Sequence, residues 1–365
     1  MFKTVKIRDG HDNFFTPLRL IFSLMVVVGH CYAIVFGGST GEPHIFYHYT
    51  FSYLAVNLFF IASGFLVTKS MLYRGDVIEF GAARFLRIYP GLLVHVLFVM
   101  LIVGVLATSM PLMEYFTHRD FLKQPFVVLS FIETEMYLPQ VFETNAEQLS
   151  SAPLWTLRYE VLAYIGTAIL FAIGFMRKRW MILAQFVLPA IAYLAIFGTA
   201  FYDELPATIQ ALMRFSLPYG LGAVLYAYRD RLSFHILGVP LMIGLACLTS
   251  SLTSQEIFMN FALGYFVIWA AFVKIPKLNP LQNLSDISYG IYIYHWCIMQ
   301  LLFMWMPKLG VAMLFALTLP LTILLASASW HIIEKPMLKR KKGLADALRF
   351  GRKKRDYDPK AVLLD

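Results

Sequence analysis

An arginine and a histidine eleven residues apart are the first candidates for chemistry in this chain. Arg19 and His30 lie within one apolar stretch of the sequence. An ionisable side chain inside a bilayer costs at least about 2.5–3.5 kcal/mol, so such residues are usually functional. Eleven helical residues make roughly three turns, which places both side chains on one face, about 16 Å apart along the axis. This spacing predicts a cation near one membrane surface and a titratable imidazole deeper in, as a long ligand with an anionic end would need.

The composition predicts an all-α membrane protein. Of the 365 residues, 59% are hydrophobic and 15% are charged, and the mean hydropathy is +0.65, whereas a soluble domain is about 25% charged. The net charge of +9 is better explained by basic cytoplasmic segments than by nucleic-acid binding. The three cysteines fall in predicted spans, and we interpret them as buried thiols rather than a disulfide or metal framework: Cys31, Cys247 and Cys297.

Long apolar runs predict a polytopic bundle of about ten transmembrane helices. Most of the 31 lysine and arginine residues fall on one side of these spans, which predicts that both termini are cytoplasmic. The predicted spans lie near residues 17–36, 51–70, 88–109, 155–175, 180–198, 209–228, 234–250, 256–273, 287–306 and 310–330.

Two segments lie outside the predicted spans. Residues 1–336 are predicted to form one integral-membrane domain, and residues 337–365 a basic cytoplasmic tail that lies on anionic membrane lipid. The segment 110–154 is long for a connection on the outer side. It is either a cover over an outward-facing cavity or a solvated loop.

Several polar side chains are predicted in the outer half of the bundle, where they are expected to face inward and pair. A carboxylate beside His30 would orient the ring and raise its basicity, and Glu160 is the predicted carboxylate. The alternative is that these groups form structural ion pairs. Further candidates for substrate contacts are the other polar groups within the spans, Asn57, Arg158, Arg214 and His295.

A second group of candidates lies on the cytoplasmic side. Arg84 and Arg87 are three residues apart, so on a helix their side chains are neighbours, and Pro90 is typical of a helix start. Together with Arg19 these guanidinium groups predict a phosphate clamp. The alternative is that they are interfacial residues that only fix the orientation of the helices. Ser63, next to Gly64, is interpreted as part of a close helix contact rather than as a nucleophile.

Six short motifs, taken together, resemble acyltransferase family 3, the membrane O-acyltransferases of bacterial surface glycans. The resemblance covers about residues 15–336 and depends on the order of the motifs, because each one alone is weak. In chain order they are Arg19-x10-His30, Phe60-Ile-Ala-Ser-Gly-Phe65, Arg84-x-x-Arg87-Ile-Tyr-Pro90, Pro153-Leu-Trp-Thr-Leu-Arg-Tyr-Glu160, Ser288-Tyr-Gly-Ile-Tyr-Ile-Tyr-His295 and Ile333-Glu-Lys-Pro336.

The resemblance implies an O-acyltransferase of the bacterial inner membrane. It would take an acyl group, expected to be acetyl, from cytoplasmic acyl-coenzyme A, here acetyl-CoA, as co-substrate. The acceptor would be a hydroxyl of a glycan or lipid-linked glycan; lipopolysaccharide, capsule, exopolysaccharide and a lipo-oligosaccharide signal all remain open. No metal is expected.

The same resemblance suggests roles for the candidate residues. Arg19, Arg84 and Arg87 would hold the coenzyme A phosphates. His30 would act as general base or take the acyl group itself, oriented by Glu160.

The rival interpretation is a transporter or flippase of a lipid-linked glycan without acyl transfer. Such proteins also carry many spans and charges near the midplane, and often inverted repeats. The arginine–histidine spacing has no special meaning for transport. Binding of coenzyme A would separate the two classes.

Overall fold

The protein is described by a computed structural model that covers residues 4–7, 13–38, 41–249 and 252–349. Nearly all of the described secondary structure is helical. The one described sheet is a pair of two-residue antiparallel strands, β1 (Val5–Lys6) and β2 (Ser233–Phe234). It brings the beginning of the chain to the segment that follows the helix ending at Ala227.

The helices run in sequence order through the bundle. They are α1 (Phe15–Phe36), α2 (Phe51–Arg74), α3 (Val77–Ala107, with a π-helical turn at Val99–Val103), α4 (Leu112–Thr117), α5 (Arg119–Leu129), α6 (Trp155–Ala172), α7 (Arg179–Ile196), α8 (Ala200–Glu204), α9 (Ala207–Ala227), α10 (Gly238–Cys247), α11 (Leu252–Phe272), α12 (Ser288–Trp305), α13 (Val311–Lys339, with a π-helical turn at Trp330–Glu334) and α14 (Lys341–Leu348). A 3₁₀ segment, Pro276–Asn283, precedes α12 and meets it at 70°.

Among the described residues, six helices are long and apolar enough to cross a membrane: α1, α2, α3, α7, α11 and α13. The count becomes seven if the bent pair of the 3₁₀ segment and α12 forms one span. The predicted bundle of ten spans with cytoplasmic termini is therefore confirmed only as a helical membrane bundle. The predicted span 234–250 forms β2 and the ten-residue α10. Ten helical residues rise about 15 Å, half of a bilayer core.

Helix α3 begins well before the predicted span 88–109. Asp76 caps the helix, since its side chain accepts a hydrogen bond from the backbone N–H of Glu79 at 2.7 Å. Pro90 therefore lies inside the helix, and the prediction that it marks a helix start was wrong. The early start places Arg84 and Arg87 on a regular helical surface, as their predicted proximity on a helix requires.

The most extensive helix contact joins α2 and α9. Gly64 of α2 lies against the Tyr219 backbone, and Gly222 of α9 lies against the Ile61 carbonyl. Small residues allow two backbones to approach closely in a membrane. The interpretation of Ser63-Gly64 as part of a close helix contact is confirmed for Gly64.

The segment 110–154, predicted to lie on the outer side and called the outer segment below, is packed against the bundle rather than solvated along its length. Met136 and Phe142 are fully buried. The Trp296 indole donates to the Leu149 carbonyl at 2.8 Å, and the Asn145 amide donates to the Gln300 side chain at 2.7 Å. The segment is therefore fastened to α12, the helix that carries His295.

The described part of the predicted tail folds back on α3. Arg349, next to α14, lies 3.0 Å from Asp76 and 4.0 Å from Glu79. Burial alone would raise the pKa of Asp76, but its hydrogen bond from the Glu79 backbone and its contact with Arg349 hold it below the usual value. The rest of the predicted tail, from residue 350, lies outside the described residues.

Candidate active site

A cavity of about 870 Å³, including its open mouth, lies between α1, α2, α3, α6 and α12. All three arginines of the predicted phosphate clamp line it, as does Glu160. Helix α1 contributes Arg19, α3 contributes Arg84 and Arg87, and α6 contributes Glu160. The structure thus brings together four residues that are up to 141 positions apart in the sequence.

Two of the three arginines are paired with carboxylates. Asp286 accepts from Arg19 at 2.8 Å and from Arg87 at 2.7 Å through the same oxygen, Oδ2. Arg87 also contacts Glu334 at 3.0 Å. Glu334 is fully buried and lies in the π-helical turn of α13. These charges join α1, α3, α12 and α13 at one end of the bundle, so Arg19 and Arg87 are held in fixed positions.

Arg84 differs from its two neighbours. Its described polar partner is the hydroxyl of Ser70, at 3.3 Å, and its Nε atom is buried without a hydrogen-bond partner. The guanidinium lies 5.5 Å from the centre of the Tyr164 ring. No carboxylate lies within 4.0 Å of it among the described residues. Arg84 is therefore the clamp arginine with the most capacity left for an external anion.

The wall of the cavity beyond the arginines carries hydroxyl groups. Glu160 accepts a hydrogen bond from Tyr164, one turn further along α6. Thr156 and Tyr292 are hydrogen-bonded at 2.5 Å across α6 and α12. The Ser63 hydroxyl is buried, lines the cavity and has no hydrogen-bond partner. A polar ligand in this cavity would meet unfilled donors and acceptors.

His30 lies beside a second histidine. Its Nδ1 atom is 2.7 Å from Nε2 of His295, and the Trp296 ring packs edge-on against it at 5.0 Å. His295 is fully buried, and His30 is partly exposed. The ring of Tyr292, which lines the cavity, lies 6.3 Å from that of His295. Neither His30 nor His295 lines the cavity, but the pair lies beside Tyr292, which does, one helical turn further along α12 from the arginines.

The sequence predicted Glu160 as the partner that orients His30. The described hydrogen bond of His30 goes to His295, and that of Glu160 goes to Tyr164. A catalytic contribution of Glu160 stays a prediction, with a position in the cavity wall rather than beside the imidazole.

Asn57 and Arg214 meet in a separate polar cluster around Glu256. Arg214 donates to the Asn57 oxygen at 3.2 Å, and the Asn57 amide donates to Glu256 at 3.1 Å. Glu256 also accepts from Tyr53 at 2.9 Å. Arg158 lies apart and donates to the Ile132 carbonyl at 2.6 Å. The four predicted substrate contacts are thus divided among three places: the Glu256 cluster, the outer segment and, for His295, the histidine pair.

Sequence reasoning missed the carboxylates that hold these sites. Asp286 and Glu256 were not singled out, and Glu334 appeared only within the motif Ile333-Glu-Lys-Pro336. A carboxylate within an apolar run is the signal that would have found Glu256 and Glu334. Asp286 lies in the polar stretch before α12 and gave no such signal. Among the described residues, no group of three or more potential metal ligands is found.

These features can be compared with known proteins. The family model described as an acyltransferase domain, that of acyltransferase family 3, matches residues 13–331. The chain belongs to acyltransferase family 3. It is therefore an acyltransferase, and its apolar helices make it an integral membrane protein.

Several curated proteins resemble this acyltransferase over nearly their whole length. An O-acetyl transferase of Shigella phage Sf6 is 24% identical over 344 residues, which are 90% of this chain and 97% of the phage protein. Nodulation protein 10 of Rhizobium leguminosarum bv. viciae is 26% identical over 361 residues, which are 92% of this chain and 96% of the nodulation protein. A putative acetyltransferase, ORF330, of Acidianus two-tailed virus is 26% identical over 343 residues, which are 87% of this chain and 93% of the viral protein. No solved structure matches.

Proposed function

We propose that this acyltransferase moves an acetyl group from cytoplasmic acetyl-CoA to a hydroxyl of a cell-surface or exported glycan, at the bacterial inner membrane. The observation that carries the proposal is a cavity lined by three arginines and by Tyr292, beside which the histidine pair lies. The names of the phage and viral relatives support acetyl as the group.

The donor matches this cavity in its charge pattern. Coenzyme A carries its phosphates at one end and its thioester at the other, joined by a thin pantetheine arm. Arg84, with no carboxylate partner among the described residues, supplies the main phosphate contact, and Arg19 and Arg87 add positive charge beside it. The arm passes between the hydroxyl-bearing walls of α6 and α12 toward His30.

Acceptor and donor are proposed to approach from opposite sides. His30 lies near the outer end of α1, eleven residues from Arg19. The outer segment 110–154 covers α12 beside it and offers a surface that selects the acceptor. Asn57, Arg158 and Arg214 remain proposed acceptor contacts.

The test is transfer of labelled acetyl from acetyl-CoA by the purified protein to extracted host glycans. Wild type is compared with His30→Ala and with His44→Ala, an exposed histidine in the loop between α1 and α2. We expect label on the glycan with wild type and His44→Ala, and loss with His30→Ala at equal folded yield. Equal transfer by His30→Ala would show that His30 takes no part in the reaction, while the proposed donor and acceptor would stand.

The same preparation tests the flippase alternative. Binding of acetyl-CoA is measured with and without Arg84→Ala. An enzyme of this type binds acetyl-CoA, and its affinity for acetyl-CoA falls when Arg84 is replaced by alanine. A protein that neither binds acetyl-CoA nor transfers label would contradict the proposed function.

A further inference from the structure

The contact between His30 and His295 fixes which nitrogen of His30 can react. The two ring nitrogens are 2.7 Å apart, the ring centres 5.0 Å apart, and the ring planes 21° apart. Rings stacked face to face at that separation would not bring two nitrogens to 2.7 Å. The rings therefore lie nearly end to end in one plane, which is the geometry of a hydrogen bond between a ring N–H and a ring lone pair.

The direction of this hydrogen bond follows from the other side of His295. Its Nδ1 atom is 2.9 Å from the Ile291 carbonyl, one helical turn earlier. A carbonyl oxygen only accepts, so Nδ1 of His295 carries a proton. The ring is fully buried, and its described hydrogen-bond partners are a carbonyl and an imidazole, so it is neutral. Nε2 of a neutral ring with a proton on Nδ1 is an acceptor.

Because Nε2 of His295 accepts, Nδ1 of His30 must donate. We infer that His295 is a positioning residue that holds His30 in the Nδ1–H tautomer and so leaves the lone pair on Nε2 of His30 as the reacting atom. This inference rests on the proposed function for its chemistry. The orienting partner is thus an imidazole backed by a backbone carbonyl, in the place where the sequence predicted a carboxylate.

Both routes of acyl transfer use the same atom. In direct transfer, Nε2 takes the proton of the acceptor hydroxyl while its oxygen attacks the thioester carbonyl. The C–S bond breaks, and the proton passes from Nε2 to the departing thiolate, giving ester and coenzyme A thiol. In covalent transfer, Nε2 attacks the carbonyl and releases the thiolate. The hydroxyl then takes the acyl group from Nε2, and its proton ends on the thiolate.

The exposure of the two rings agrees with this division of roles. His30 is partly exposed and can meet a substrate, whereas His295 is fully buried. Trp296 and Gln300, on the same helix, are hydrogen-bonded to the backbone of residue 149 in the outer segment. These contacts hold α12, and with it the His295 ring, in place. A role in binding substrate directly does not fit a side chain with no exposed surface.

The first test reads the tautomer without using activity. The wild-type protein, labelled with ¹³C and ¹⁵N in its histidines, is placed in lipid vesicles, and ring nitrogen shifts are recorded. His30 is assigned by the signal that disappears in His30→Asn. We expect a protonated Nδ1 and an unprotonated Nε2 on His30. A protonated Nε2 on His30 in the wild type would overturn the inference, whatever the enzyme acts on.

The second test uses two substitutions at His295. His295→Leu removes the nitrogen that accepts the hydrogen bond from His30. In His295→Gln the side-chain oxygen of glutamine can accept that hydrogen bond instead. We expect His295→Leu to lower kcat by about 100-fold or more, the usual contribution of an oriented general base, with little change in the KM for acetyl-CoA. His295→Gln should restore most of the lost kcat, which a purely structural role would not require. The control is His95→Gln, another fully buried histidine, bonded to Ser151.

The outcomes separate this inference from the proposed function. Wild type that transfers acetyl normally, together with full kcat in His295→Leu, would reject the positioning role and leave the function intact. Wild type that shows the expected His30 tautomer but transfers no acetyl would reject the proposed function and leave the geometry intact.

Discussion

At the scale of single residues, the carboxylate partners decide what each arginine of the cavity can do. Arg87 is bound by Asp286 and Glu334, and Arg19 by Asp286. Arg84 has a hydroxyl partner and a buried, unpartnered Nε. Residues that look equivalent in sequence therefore divide into two that fasten helices together and one that is available for an anion.

Replacing Arg84 and replacing Arg87 should have different effects. Arg84→Ala should raise the KM for acetyl-CoA and leave the thermal midpoint of unfolding nearly unchanged, because no carboxylate among the described residues loses its partner. Arg87→Ala leaves buried Glu334 unpaired, which costs about 3–5 kcal/mol, and should lower the midpoint clearly. Donor titrations and thermal unfolding in detergent measure both effects.

A double variant tests whether the unpaired Glu334 charge causes the loss of stability in Arg87→Ala. Arg87→Ala combined with Glu334→Gln removes the unpaired charge and should recover part of the lost stability. Equal stability of the two single variants, Arg84→Ala and Arg87→Ala, would contradict the division of roles.

At the scale of elements, glycines and π-helical turns determine how the helices approach. A Cβ on Gly222 would lie 2.1 Å from the Ile61 carbonyl oxygen, and one on Gly64 would lie 2.0 Å from that of Tyr219. Backbone atoms cannot yield as a flexible side chain can. The π-helical turn of α13 ends at Glu334, the carboxylate that pairs with Arg87. Such turns are frequent at functional sites.

The contact between α2 and α9 should not tolerate one added methyl group. Gly222→Ala should destabilise the protein by about 1–3 kcal/mol, the usual cost of overpacking. The control is Gly166→Ala in α6, where a Cβ meets nothing within 4 Å. Alanine there should be neutral or stabilise by about 0.5–1 kcal/mol, because glycine weakens a helix interior. Thermal unfolding of both variants and wild type is the measurement; equal midpoints would reject the tight contact.

At the scale of the whole molecule, the charged pairs and the contacts to the outer segment lie at different places along α12. The charged pairs around Asp286 lie at one end of α12, near Ser288. The contacts to the outer segment lie further along, at Trp296 and Gln300. The catalytic candidate His30 lies between these two ends, which the predicted topology places on opposite sides of the membrane.

Cysteine labelling tests that orientation. In a background without the three native cysteines, Glu135→Cys lies in the outer segment and Lys178→Cys lies between α6 and α7, and both positions are exposed. A further exposed site on the basic side, Lys342→Cys in α14, extends the map. An impermeant maleimide added to intact spheroplasts should label Glu135→Cys and not Lys178→Cys, which becomes labelled only after lysis.

The opposite pattern would reverse the predicted topology. Labelling of both positions in intact spheroplasts would mean that α6, which carries Glu160, does not cross the membrane. That result would contradict the predicted span 155–175.

The sequence by itself determined the class of protein, the helical bundle and the family. The class and the bundle follow because a bilayer demands long apolar helices, whereas the family was indicated by six motifs in a fixed order. Ionisable residues in or at the start of apolar runs gave Arg19, His30 and Glu160 as candidates. A spacing of three residues beside a predicted span gave Arg84 and Arg87. Four of these five residues line one cavity.

Only the tertiary structure decided which of these side chains meet. Asp286 lies 267 positions from Arg19 and His295 lies 265 positions from His30, and no local pattern links such pairs. The partner of His30 is an imidazole rather than the expected carboxylate because α1 packs against α12, which the helical period of either segment does not specify. Local periodicity tells which face of a helix is buried, and packing alone tells what it is buried against.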